Sequence, residues 1–276
     1  MKKRGKENIP EFNPAEKLIR LKEIFLGLKK VAVAYSGGVD SAFLLRVAYD
    51  ALSGNAIGIY VDSSLQPENE KKEALKTARK IGARIVILEA DPLSLNEFSS
   101  NPRNRCYYCK GFLFRQIQET ARHHGFFIVI DGSNFDDLAD FRPGKKALLE
   151  MNVRSPLQEA GLTKQEIRYL SKTMDLPTWE KDSYACLASR IPYGSPINIS
   201  KLKQIENVEL LLSSHEFRNI RARHMGQVVR LEVRADQVKR LTELIENETF
   251  RKSVLNTGFT KIEIDEHGYR QGSLNL

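Results

Sequence analysis

The chain has 276 residues, 41% of them hydrophobic, and a formal net charge of +8. That length suits one large domain followed by a smaller one. No run of about 20 apolar residues is present, which argues against a membrane-spanning helix. The basic opening MKKRGKENIPEFNP is followed by no apolar stretch, so it does not read as an export signal, and the cytoplasm is the expected location. The positive balance favours anionic partners such as nucleotides, phosphorylated metabolites or RNA. There is no block of consecutive basic residues long enough to act as a nucleic-acid arm.

Leu18, Leu21, Ile24, Phe25 and Leu28 recur at helical spacing over residues 14–29 and predict an amphipathic helix. Val31–Tyr35 is a short apolar run of the buried parallel-strand type. A Ser-Gly-Gly turn and a helix from about Ser41 to Leu52 follow. Ala56–Val61 reads as a strand ending in Asp62, Glu68–Ile81 as a helix, Arg84–Leu88 as a strand, and the segment near Cys109–His123 as a helix. Phe127–Ile130 is a fourth strand, ending in Asp131-Gly132. This alternation predicts a doubly wound parallel α/β sheet, in which ligands bind beyond the carboxyl ends of the strands. Ile191-Pro192-Tyr193-Gly194-Ser195-Pro196 has linker composition, and the pattern changes after it. A helix over Ser200–Ser214, paired strands Asn219–Arg223 and Val228–Val233, a helix over Ala235–Asn247 and a last strand Phe259–Ile264 predict a smaller α+β domain. The expected division is 1–195 and 196–276.

The hexamer Ser36-Gly37-Gly38-Val39-Asp40-Ser41 lies between a buried strand and a helix start. Its glycines let backbone N–H groups approach an anion closely, and the helix directs its positive end to the same point. No lysine of the GxxxxGK[ST] type is present, so this is not a kinase-type loop. The hexamer resembles the phosphate loop of the N-type ATP pyrophosphatases. That resemblance implies that ATP is cleaved between its α and β phosphates, that the loop holds the pyrophosphate portion, and that Asp40 helps organise Mg²⁺. Asp62, Asp131 and Gly132 are further candidates for nucleotide contact, although capping a loop or helix is an equally good role for either carboxylate.

The three cysteines are Cys106, Cys109 and Cys186. An odd count without an export signal speaks against a disulfide framework. Cys106-Tyr107-Tyr108-Cys109 is a C-x2-C pair, open to a redox dithiol or to a zinc site completed by another ligand such as His123 or His124. An iron–sulfur cluster is a third possibility, and its three thiolates would leave one iron free. Three unrelated buried cysteines are a fourth.

Trp179–Gly194, with Cys186-Leu187-Ala188-Ser189-Arg190 inside it, closely resembles the LarE family, the sulfur transferases that build the nickel-pincer nucleotide. The match extends to Asn101–Lys110, Asp131–Asp137, Arg221–Gly226 and Gly268–Ser273, and so covers nearly the whole chain. It implies adenylation of a carboxylate of pyridinium-3,5-biscarboxylic acid mononucleotide and displacement of AMP by sulfur. Members with one cysteine at the position of Cys186 sacrifice it. Here the C-x2-C pair departs from that pattern, and three-cysteine members look built to hold a [4Fe-4S] cluster carrying an extra sulfide. Cys106, Cys109 and Cys186 are then the expected cluster ligands, with Cys186 and Asp40 the expected catalytic residues.

Arg221 and Arg223 share one face of a predicted strand, and two guanidinium groups there would form a phosphate clamp. The resemblance adds Ser189 and Arg190 to that substrate-phosphate site. His224 is assigned no role. A tRNA-thiolating enzyme and a non-catalytic nucleotide-binding regulator are the competing readings. A small nucleotide substrate, no nucleic acid, no membrane and a homo-oligomer are the expected partners and state.

Overall fold

The computed structural model describes residues 13–139, 143–182 and 185–270. The first helix, α1 (Pro14–Leu28), starts on Asn13, whose side chain accepts the Glu16 amide, with proline at its first position. Then come β1 (Val31–Tyr35), α2 (Val39–Leu52), β2 (Ala56–Asp62), α3 (Glu68–Ile81) and β3 (Arg84–Glu89). A single turn, α4 (Asn96–Ser99), leads into α5 (Arg105–His123) and β4 (Val129–Ile130). α6 (Pro143–Glu150), α7 (Pro156–Glu159) and α8 (Lys164–Thr173) complete the first part of the chain.

The strands run parallel in the order β3-β2-β1-β4. β1 is joined to β2 on one side and to β4 on the other, so the strand order reverses between β1 and β4. Such a reversal opens a crevice at the carboxyl ends of those two strands. The expected doubly wound sheet is therefore present. Side-chain alternation divides its two faces. Val31, Val33 and Tyr35 pack with α1, α2, α3 and α8, whereas Ala32, Ile57 and Ile59 pack with Phe114 and Ile117 of α5 and Leu148 of α6.

A second sheet follows α9 (Ile199–Ser214). It consists of β5 (Arg221–Met225), β6 (Val228–Glu232) and, after α10 (Val238–Glu246) and α11 (Glu248–Leu255), β7 (Lys261–Ile264). β5 and β6 form an antiparallel hairpin, and β7 lies parallel to β6. Gly226, at a φ of 74°, makes the hairpin turn. The hydrophobic cluster beneath this sheet also takes in Leu65, Phe98, Leu187, Ala188 and Ile191 from earlier in the chain. Residues flanking Cys186 are thus packed against the second sheet.

Several element bounds differ from expectation. α2 starts at Val39, not Ser41, and α5 starts at Arg105, so Cys106 and Cys109 both lie in its first turns. The fourth strand shortens to Val129–Ile130, and Ile130 also makes a single parallel bridge with Arg154. β5 starts at Arg221, after Asn219 turns at a φ of 53°. Helices over 143–150, 164–173 and 248–255 carry no expectation from the sequence. Among the described residues, no helix is long and apolar enough to cross a membrane.

A candidate active site of phosphate loop and thiols

β1 ends at Tyr35, and the chain turns through Ser36, Gly37 and Gly38 into α2. Gly37 has a φ of 74°, and a Cβ there would overlap the side chain of Ala74 in α3. Only glycine permits this turn. The Ser36 amide donates to Ser41 Oγ at 3.2 Å, and the two serine hydroxyls are 3.0 Å apart. The loop is thus closed on itself while its helix stays uncapped. Gly38 is the N-cap of α2 and no side chain caps it, which leaves first-turn amides for an anion. On the β4 side, a Cβ at Gly132 would lie 3.1 Å from the Ser41 nitrogen, so the chain leaving β4 meets the first turn of α2 backbone to backbone.

A cavity of about 510 Å³ opens here, lined by Ser36, Gly38, Asp40, Ser41, Asp131 and Gly132. Its apolar wall is Ile59, Val61, Leu113 and Phe114, a surface suited to a planar base. Val39 is buried in the core and Gly37 shapes the loop from behind.

Asp40 is held by a residue that the hexamer does not contain. Lys164 of α8 reaches its Oδ2 at 2.5 Å, while Oδ1 is buried without a hydrogen-bond partner. Burial raises the Asp40 carboxyl above the usual range, Lys164 opposes this, and Asp137 adds repulsion. Among the described residues, no three His, Cys, Asp or Glu side chains gather closely enough to hold a metal ion by themselves. Mg²⁺ needs fewer, since it takes one or two carboxylates with phosphate oxygens and water. The orphaned Asp40 oxygen, with Asp137 lining the same cavity, fits it.

Asp131 has a supporting role in the loop, accepting hydroxyls from Ser133 at 2.5 Å and Ser155 at 2.6 Å. Asp62 stands apart. It is paired with Lys71 and lines a separate cavity with Tyr60, Ser64 and Lys203. Lys181 is a second cation absent from the sequence reading. Its Nζ pairs with Glu70 at 2.7 Å and Glu73 at 3.2 Å, and lies 3.5 Å from the Gly37 carbonyl oxygen.

The three cysteines are all free; Cys106 is exposed, and Cys109 and Cys186 are half-buried. Desolvation raises the Cys106 thiol, and the neighbouring Cys186 raises it further. Cys109 is raised for the same reason, with contributions from both Cys186 and Cys106. Two segments about 80 residues apart in sequence therefore lie near one another, and Cys109 and Cys186 pack against the same hydrophobic cluster, but the three thiols are not gathered closely enough to hold a metal ion as they stand. All-sulfur donors suit an iron–sulfur cluster, and neither His123 nor His124 takes part: they lie at the opposite end of α5. Lys110 connects this group to the loop, since it acts electrostatically on both Cys106 and Cys109 and also lines the phosphate-loop cavity.

The arginines share a face as expected, but each points inward. Arg223 pairs with Glu232 at 2.8 Å and donates to the Ser189 carbonyl at 2.9 Å. Arg190, fully buried, pairs with Glu209 at 2.8 Å, and Glu209 also accepts the Ala222 amide. Arg221 lies over the Tyr269 ring and lines a cavity of about 760 Å³ between α3 and α9. His224 is buried, with Nε2 3.1 Å from Gln204 Oε1. Ser183 and Tyr184, and Gln271, Gly272 and Ser273 of the C-terminal resemblance, lie outside the described residues.

An uncapped glycine loop at the sheet's reversal point, with a nucleotide-sized cavity and a buried carboxylate beside it, defines an ATP pyrophosphatase-type enzyme. The sequence model of the NAD synthase family matches residues 15–121. An uncharacterized protein of Synechocystis is 37% identical over 94% of this chain and 97% of its own length. Pyridinium-3,5-bisthiocarboxylic acid mononucleotide synthase of Lactiplantibacillus plantarum is 30% identical, with 90% of each chain covered. The glutamine-hydrolyzing GMP synthase of Thermotoga petrophila is 24% identical over 59% of this chain and 35% of its own length. The chain belongs to the LarE family of ATP-using sulfurtransferases.

Proposed function

We propose that the protein is an ATP-dependent sulfur transferase acting on pyridinium-3,5-biscarboxylic acid mononucleotide in nickel-pincer cofactor synthesis. A substrate carboxylate oxygen attacks the α-phosphorus of ATP, the α–β bond breaks, and pyrophosphate leaves. A sulfur nucleophile then attacks the carbonyl carbon of the adenylate, the bond to AMP breaks, and a thiocarboxylate remains. The observation that carries this reading is Lys110, which lines the phosphate-loop cavity and directly follows Cys109 in α5. A leaving group and a sulfur carrier are served from neighbouring positions.

In this reading the amides of Gly38, Val39 and Asp40 and the hydroxyls of Ser36 and Ser41 hold the departing pyrophosphate. Asp40 would hold Mg²⁺, which when bound would neutralise the phosphate charge. Arg221, Ser189, Arg190 and Arg223 form the substrate-phosphate side. Arg190 and Arg223 contribute through their buried pairs, which fix the turn carrying Ser189. Cys106, Cys109 and Cys186 would hold a [4Fe-4S] cluster that, when bound, supplies an iron position open to sulfide. Free thiols suit a reducing cytoplasm, and we place the protein there as a homo-oligomer.

The test is pyrophosphate release with the mononucleotide against bulk tRNA. Release with the mononucleotide is expected, and release with tRNA alone would overturn the substrate. Anaerobic reconstitution should give an iron–sulfur chromophore that Cys106→Ala abolishes. An unchanged spectrum would remove the cluster from the proposal while leaving adenylation in place.

A further inference from the structure

Two segments must meet for the thiols to act together, and one buried amide lies at their junction. Asn101 is fully buried and sits at a φ of 61°, in the left-handed region. Its Nδ2 donates to the carbonyls of Pro192 at 2.7 Å and Ser195 at 2.8 Å, and approaches that of Ile191 at 3.4 Å. Its Oδ1 accepts Arg105 Nη1. Its own carbonyl accepts the Gly194 amide at 2.9 Å, and the Ser99 carbonyl accepts the Ile197 amide at 2.7 Å. Arg105, itself 5% exposed, lies over the Tyr193 ring at 4.5 Å. The Asn101 Nδ2 and backbone carbonyl therefore join the approach to Cys106 and Cys109 to the 191–195 segment after Cys186, while Oδ1 ties Asn101 to Arg105 at the start of α5.

The structure assigns Asn101, with Arg105, as the positioning clamp that sets the separation between the C-x2-C thiols and Cys186. The chemistry fits asparagine alone. A side-chain carboxylate would repel three carbonyl oxygens, leucine would leave them unpaired in the interior, and the left-handed backbone favours asparagine among residues with side chains. The clamp is also asymmetric. It fixes the start of α5 and the 191–197 segment, and none of its hydrogen bonds runs to the phosphate loop, so it tunes the sulfur side and leaves the ATP side alone. This role deepens the sulfur-transfer reading and rests on it for its purpose, but the geometry it asserts is measurable without any turnover.

The experiment is thiol bridging in the full-length chain under reducing, metal-free conditions. A short fluorogenic bis-electrophile, which emits only after alkylating two neighbouring thiols, is added to Cys109→Ser protein so that the Cys106–Cys186 pair is read. Asn101→Gly keeps the backbone conformation available while deleting the amide. It should lower the bridging rate by about tenfold, because the effective concentration of one thiol at the other falls as the clamp is released. ATP binding by calorimetry should be unchanged. An unchanged bridging rate in Asn101→Gly would overturn the clamp. Should that variant not fold, as judged by its melting curve, Arg105→Met is measured by the same criterion; it withdraws the guanidinium from Asn101 Oδ1 and Tyr193 without altering a left-handed residue. If bridging falls as expected but pyrophosphate release fails with the mononucleotide, the clamp stands and the substrate reading falls.

Discussion

The phosphate loop and the thiol group are built by opposite means. Six consecutive residues form the loop, and the bonds that close it run between neighbours, Ser36 to Ser41 and Gly38 to Ser36, with distant support from Lys164 and Lys181. The thiol group draws on 101–110, 185–197 and the second sheet, and buried polar side chains hold it. These are Asn101, Arg105, Arg190 with Glu209, and Arg223 with Glu232. A local site needs backbone freedom, and glycine provides it. A site assembled from distant segments needs compensated polar groups in the interior, and their removal is costly because an uncompensated charge stays behind.

That contrast orders the expected effects. The largest belongs to the assembled side. Arg223→Met would leave Glu232, 2% exposed, without its guanidinium. It should cost about 3–5 kcal/mol of stability in urea unfolding. A cost under about 1 kcal/mol would show that Glu232 is reached by water and that the turn at Ser189 is not held from below.

On the local side, Gly37→Ala meets both a left-handed backbone and the Ala74 side chain. It should destabilise by about 2–3 kcal/mol and abolish ATP binding, since α3 and the loop cannot both keep their places. Binding that persists with a normal melting temperature would mean that α3 moves aside cheaply.

Both regions follow from the sequence to different depths. The hexamer's place between strand and helix was legible because periodicity, glycines and serines are all local signals. Its lysine was not. Lys164 lies in a helix whose capping box, Thr163 to Glu166, is readable as Thr-x-x-Glu, but nothing in sequence tells that this helix packs on α2 and reaches Asp40. The grouping of Cys106, Cys109 and Cys186 is implied by the family resemblance, and Asn101 enters the sequence reading only as the first residue of the matched stretch 101–110, because its bonds go to carbonyls about 90 residues away that spacing does not reveal. The shared face of Arg221 and Arg223 was correct by alternation. That it faces inward depends on Glu232 across the hairpin, a pairing that spacing does not reveal.

A smaller effect tests how far the loop depends on distant support. Lys164→Met removes the cation from Asp40 Oδ2, leaving both carboxylate oxygens without a partner charge. The pair is partly solvent-exposed, so the stability loss should be about 1 kcal/mol. Pyrophosphate release should fall by about tenfold to a hundredfold, because Asp40 would lose the orientation that presents Oδ1 to Mg²⁺. Undiminished release would make the loop self-sufficient.

The smallest effect lies where α1 holds α8. Lys17 Nζ contacts both oxygens of Glu166 at 2.7 and 2.9 Å. Partial burial raises the Glu166 carboxyl, but hydrogen bonds from Lys17 and Thr163 outweigh this and leave it below the ordinary range. A carboxyl lowered in the folded state binds protons less readily than in the unfolded chain. Its stabilisation is therefore complete above the unfolded carboxylate pKa of about 4.3 and fades as pH falls through the folded value. Glu166→Gln should accordingly cost about 0.5–1 kcal/mol near neutral pH, with the difference from the parent vanishing in acid. A difference that persists unchanged at a pH of about 3, below the unfolded value, would assign the loss to the capping box, which glutamine keeps only in part, and not to the Lys17 ion pair.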